Sequence, residues 1–126
     1  MFSAKMPPMR QKVLIVDDHS KFRQLARRLV ETAGYVVIGE AATGSEAISE
    51  THRLMPDVVL LDIHLPDRDG FAVATALRGL PSAPTVVLIS SRDATDYGPR
   101  VLECGAHAFI SKAELTGEHF KAALEK

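Results

Sequence analysis

The sequence predicts a doubly wound α/β domain in which five strands and five helices alternate around a parallel sheet. Three observations carry that reading. Four aliphatic and largely β-branched runs, at residues 13–16, 35–38, 58–61 and 85–89, are continuous rather than alternating, as strands covered on both faces must be. With a weaker fifth run at 107–110 they recur about every 22 to 27 residues, which leaves room for one helix between neighbours. The 126 residues are 46% apolar and 25% charged, the balance of a globular chain able to bury a core without cross-links.

The helices are read from their stripes and their ends. After Asp18, the residues Phe22, Leu25, Ala26, Leu29, Val30 and Ala33 fall at helical spacing, and Gly34 is placed to stop that helix. Thr43-Gly-Ser-Glu46 is a capping box ahead of Ala47 and Ile48. A third helix is expected from about Asp69 to Gly79, and the last carries Leu115, Phe120, Ala123 and Leu124. The fourth is interrupted, because Gly98-Pro99 fall at its middle and an interior proline costs about 3 kcal/mol. A short helix opening at Pro99 is expected instead. Residues 1–10, with prolines at 7 and 8, are expected to be a flexible lead-in to one domain over 11–126.

Composition excludes several classes. Fifteen basic against sixteen acidic residues leave a net charge of −1, so nothing asks for nucleic acid. One cysteine, Cys104, rules out a disulfide framework and a multi-cysteine zinc site and is read as a packing residue. No apolar run approaches the ~20 residues of a membrane span, and the N-terminal residues lack the apolar core of a secretory signal. A cytoplasmic location is expected. His52, His107 and His119 form no ligand pattern.

Sites in open parallel sheets lie beyond the carboxyl ends of the strands, where strand order reverses. Here the first strand runs into Asp17-Asp18, the third into Asp62, the fourth into Ser90-Ser91 and the fifth through Ser111 into Lys112. In the flavodoxin-like strand order 2-1-3-4-5, strands one and three are neighbours and the three aspartates converge. Ser90 then lies one strand away from Asp62 and Lys112 two. Carboxylates so close need a cation among them, and an oxygen-only set suits Mg²⁺. A cation, a lysine and a hydroxyl around one carboxylate describe a site for a transferred phosphoryl group, with the carboxylate as nucleophile. Singly, each aspartate could be a helix cap and the lysine a surface charge; together, at four strand ends, they are a site.

The chain resembles the receiver domain of two-component response regulators over about residues 11 to 125. The resemblance is carried by Leu14-Ile-Val-Asp-Asp18, by Val58-Val-Leu-Leu-Asp-Ile-His-Leu-Pro-Asp-Arg-Asp-Gly70, by Val87-Leu-Ile-Ser90 and by Phe109-Ile-Ser-Lys112. It implies that Asp62 accepts a phosphoryl group from a sensor histidine kinase or phosphotransfer protein. It implies further that Mg²⁺ is held by Asp18, Asp62 and the main-chain carbonyl of His64, with Asp17 acting mainly through a water. Lys112 would hold a phosphoryl oxygen, Ser90 would swing to the phosphate and Phe109 would fill the space left. His64 and Arg92 would tune phosphate lifetime. A homodimer formed on phosphorylation belongs to the same expectation.

Departures from the family pattern are Leu65 before Pro66, Phe109 in place of the commoner tyrosine, the broken fourth helix, and Ala113 after Lys112 where most members have a cis proline. A trans Lys112-Ala113 bond is therefore expected. A cobalamin-binding module of the same topology is the rival, since Asp62-Ile-His64 starts its motif, but Asp67 stands at the glycine position. An aspartyl-phosphate hydrolase would need D-x-D after its first strand, which Asp62-Ile-His64 also fails. The domain is read as acting alone, passing phosphate or docking a partner, with a piece of a longer regulator as the alternative.

Overall fold

Continuity of the apolar runs becomes burial on both sheet faces. In the computed structural model, which describes residues 10–125, β1 (Lys12–Val16), β2 (Val36–Ala41), β3 (Val58–Asp62), β4 (Thr85–Ser90) and β5 (Ala108–Ser111) pair in parallel in the order β2-β1-β3-β4-β5. The helices are α1 (Ser20–Thr32), α2 (Gly44–Leu54), α3 (Gly70–Arg78), α4 (Arg100–Glu103) and α5 (Gly117–Leu124). Side chains alternate across the pleat. Val13, Ile15, Val58, Leu60, Val87 and Ile89 pack with Ala26 and Val30 of α1 and Phe120 and Ala123 of α5. Leu14, Val16, Val59, Leu61, Val86 and Leu88 pack on the other face with Ala47 of α2, Leu77 of α3 and Cys104. Cys104 is thus a packing residue, as expected.

The ends follow the local chemistry. Gly34 takes φ +101° and closes α1 with paired bonds, its N–H donating to Glu31 O and that of Tyr35 to Val30 O. Thr43 Oγ1 accepts from the Glu46 N–H at 3.1 Å, while the Glu46 carboxylate reaches one residue further back, to the Ala42 N–H at 2.9 Å. Asp69 caps α3 through the Ala72 N–H at 2.8 Å. The fourth helix is as short as the sequence predicts: Pro99 is its N-cap and it spans four residues, preceded by a 3₁₀ turn at Ala94–Asp96. Each strand departs from its apolar run by a residue or more at one end or both, most of all β2. β5 starts at Ala108 because His107 uses its N–H on Val86 O at the entry to the strand, and β2 runs on to Ala41 because β1 keeps pairing with it. No cis peptide occurs among the described residues, so Lys112-Ala113 is trans. Of the expected lead-in, residues 1–9 lie outside the described residues. No described helix is long and apolar enough to cross a membrane.

Candidate functional site

The ladders deliver the acidic residues to one point. Val16 of β1 pairs with Leu61 of β3, so Asp17 and Asp62 follow side by side at the carboxyl edge. Asp17 is fully buried and Asp62 nearly so, whereas the Asp18 side chain is about a third exposed. Neither Asp17 nor Asp18 caps α1; that position is His19, whose side chain caps nothing. Asp17 Oδ1 instead accepts from the His19 N–H at 2.8 Å, and His19 Nδ1 lies 3.2 Å from that oxygen and 3.0 Å from Asp18 Oδ1. Arg23 ties down the loop, donating to Asp17 O at 2.6 Å and to Glu40 Oε1 at 2.8 Å.

Lys112 crosses from β5 as expected. Its ammonium lies 2.6 Å from Asp17 Oδ2 and 3.4 Å from Asp62 Oδ2, with the Phe22 ring centroid 4.4 Å away. Asp62 Oδ1 accepts from the His64 N–H at 3.2 Å. Burial first, and then the Asp17 charge, push the Asp62 carboxyl up to about 6, against the pull of Lys112 and the His64 N–H. One ammonium therefore does not fully compensate the two buried carboxylates.

Ser90 closes the pocket on the β4 side, paired with Ser111 in register and completely buried. Its Oγ accepts from the Arg92 N–H at 3.1 Å and lies 2.5 Å from the hydroxyl of Tyr97. The Arg92 and His64 residues are exposed, and His64 Nε2 is 2.8 Å from the same hydroxyl. Phe109 is half-buried, its ring 6.1 Å from that of Tyr97. Tyr97, His19, Phe22 and Arg23 escaped the sequence reading as site residues. For Tyr97 a usable signal existed: a hydroxyl-bearing aromatic shortly after the strand-end serine, in a segment with no helical stripe.

One ligand atom each from Asp17, Asp18, His19 and Asp62 lie within 4.8 Å of one another. The donor chemistry fits a hard cation. Asp17 Oδ2 is buried and held by no hydrogen bond, only by the charge of Lys112, so an oxygen-seeking ion has an acceptor ready for it. The acidic cluster of Asp17, Asp18 and Asp62 can bind a metal ion.

Five parallel strands in the order 2-1-3-4-5, with this pocket at their carboxyl edge, define a CheY-like flavodoxin-fold module. The chain belongs to the response regulator receiver domain family of two-component systems, whose family model matches residues 13–125. It is 38% identical over 112 residues to a protein named as a transcriptional regulator in Pseudomonas aeruginosa, covering 89% of this chain and 54% of that one. It is 36% identical over 119 residues to NarL of Mycobacterium tuberculosis, named as a transcriptional regulatory protein, covering 94% and 55%. The receiver domain structure of that NarL superposes with a TM-score of 0.82 at 33% identity, covering 94% of this chain and all of the other. This chain spans about half the length of these curated relatives. The family assignment displaces the cobalamin reading, and Asp67, at its glycine position, has a structural task instead: its carboxylate accepts from the Gly44 and Ser45 N–H groups at 2.7 and 2.9 Å, capping α2.

Proposed function

We propose that Asp62 is the phosphoacceptor of this receiver, taking its phosphoryl group from a sensor histidine kinase or a phosphotransfer protein. The observation that supports this is the buried Asp62 carboxylate between Asp17 and Lys112, open on one side to an acidic cluster that fits a cation. Attack by an Asp62 oxygen forms an O–P bond as the P–N bond of a phosphohistidine breaks and the departing imidazole keeps the electron pair. Asp18, Asp62 and the main-chain carbonyl of His64 are the residues proposed to hold Mg²⁺, with Asp17 acting through a water. Bound there, Mg²⁺ would neutralise charge on the incoming phosphoryl group.

The other residues act around that step. Lys112, already 3.4 Å from Asp62, turns from Asp17 toward a phosphoryl oxygen. Ser90 then donates to the phosphoryl group and Phe109 moves into the space vacated, which biases the domain between two packings. His64 and Arg92, on the two loops beside the pocket, govern access of hydrolytic water. The receiver unit is taken as residues 11–126, located in the cytoplasm, and its readout as a partner, an output domain or a second copy. Apart from its own phosphorylation and dephosphorylation, the domain turns over no substrate.

Incubation with Mg²⁺ and acetyl phosphate or phosphoramidate should add one phosphoryl mass that alkali or hydroxylamine removes, as an acyl phosphate requires. Asp62→Asn should abolish the adduct. An undiminished adduct in that variant, or a phosphoserine at Ser90, would overturn the assignment.

A further inference from the structure

The phenol of Tyr97 is a polar group at the pocket that the phosphoacceptor reading leaves unused. It sits at the end of the 3₁₀ turn Ala94–Asp96, a turn fixed by reciprocal capping between Asp93 and Asp96. Its ring lies edge-on to Phe71 at 5.4 Å and 6.1 Å from Phe109. Its hydroxyl bridges Ser90 Oγ at 2.5 Å and His64 Nε2 at 2.8 Å, joining the loops that follow β4 and β3. A serine oxygen offers one proton and two lone pairs. Ser90 Oγ already accepts from the Arg92 N–H and meets Tyr97, and no hydrogen bond joins it to Asp62 among the described residues. Where the phenol gives its one proton to His64 Nε2, Ser90 must donate to the phenol, and Oγ can then donate to a group on Asp62 only by turning away from Tyr97.

We propose that Tyr97 is a positioning residue that latches the unphosphorylated domain, tying Ser90 to His64, and is released when Ser90 turns to the phosphoryl group on Asp62. The proposal rests on the phosphoacceptor reading. The loop is built to let go. Gly98, directly after Tyr97, takes φ +63°, and α4 beyond it has four residues with Leu102 85% exposed. Release asks the buried Ser90 Oγ only to rotate about its own bond, and the Tyr97 ring that gives way is only half-buried. It also carries the covalent event to the 94–103 segment, where the aromatic contacts of Tyr97 with Phe71 and Phe109 must be remade.

The chain has two tyrosines, and Tyr35 packs edge-on against Phe120 at 4.9 Å between α1 and α5, away from the pocket. Tyr35→Phe therefore leaves Tyr97 as the sole phenol. In that background, with Mg²⁺ and phosphoramidate, the tyrosine emission should change in step with the added phosphoryl mass, and Asp62→Asn should show neither. Ser90→Ala should show the changed emission before any donor is added, a signature that a merely structural ring would not give. Tyr97→Phe, which keeps the ring, should accumulate adduct roughly fivefold faster, the factor one neutral hydrogen bond is worth. A full adduct with unchanged Tyr97 emission, or an unaltered rate in Tyr97→Phe, would overturn the latch and leave Asp62 as acceptor. Failure of every protein to form an adduct, with phosphoramidate and with phosphorylated histidine kinases alike, would overturn both.

Discussion

The units built on β1, β2 and β3 carry helices of 13, 11 and 9 residues, while β4 is followed by a 3₁₀ turn and a helix of four. In β1, β3 and β4 the central residues have almost no access to solvent; β2 and β5 are the edge strands and are only partly covered. The pocket straddles this divide. Asp17, Asp18 and Asp62 stand on the long-helix side, whereas Ser90, Tyr97, Phe109 and Lys112 stand on the other. A nucleophile and its cation ligands need fixed geometry, and a responding surface needs an alternative packing within reach. The comparison teaches that one fold separates the two demands by helix length.

The largest break should come at Gly70. A Cβ there would lie 2.5 Å from the main-chain oxygen of Asp62 and 2.7 Å from Ile63 Cα, so the main chain beneath the pocket would be forced apart. Gly70→Ala is expected to cost more than about 4 kcal/mol and to lose the adduct as well. Urea unfolding beside phosphoryl mass measures both.

The next prediction sets one leucine against another. Leu77 of α3 is fully buried, so Leu77→Ala should cost about 3 kcal/mol. Leu102 of α4 is 85% exposed, so Leu102→Ala should stay within about 0.5 kcal/mol. Equal losses in denaturant midpoint would erase the distinction between the two halves.

Much of this was legible in the residues. The five runs gave the parallel sheet because strands buried on both faces leave unbroken apolar segments; its order came from the flavodoxin-like pattern, not from the runs. The four polar strand ends gave the pocket because parallel ladders bring their ends to one edge. Pro99 gave the short α4 because a missing N–H and a fixed φ are local properties. What stayed hidden depends on partners far along the chain. Asp67 caps α2 across 22 and 23 residues, and Arg23 and Arg27 clasp Glu40 from another element. His19, not Asp18, takes the N-cap of α1 because Asp17 is drawn inward by Lys112. Tyr97 was hidden in part for the same reason: Ser90 is close to it in sequence, but its other partner, His64, lies 33 residues away.

The smallest expected effect sharpens the long-helix side. The N–H groups of Gly44 and then Ser45 hold the Asp67 carboxyl down at about 2, against its ordinary 3.8. The folded value is the lower, so the stabilisation is complete above about 3.8 and is lost as pH falls toward 2. Asp67→Asn should therefore flatten the pH dependence of stability in that window and leave it unchanged near neutrality. Thermal midpoints of both proteins between pH 5 and pH 2 check this; parallel curves would remove Asp67 from the capping role.

The division between a fixed chemical half and a yielding half is tested most directly by backbone amide NMR before and after phosphorylation, with Asp62→Asn as the control. Beyond the residues next to Asp62, the shifts should concentrate at Ser90, Arg92, Tyr97, Phe109 and Lys112 and leave the amides of β1, β2, α1 and α2 near their starting positions. A confirmed adduct whose shifts fall mainly on α1 and α2, with residues 90–112 unmoved, would contradict the account.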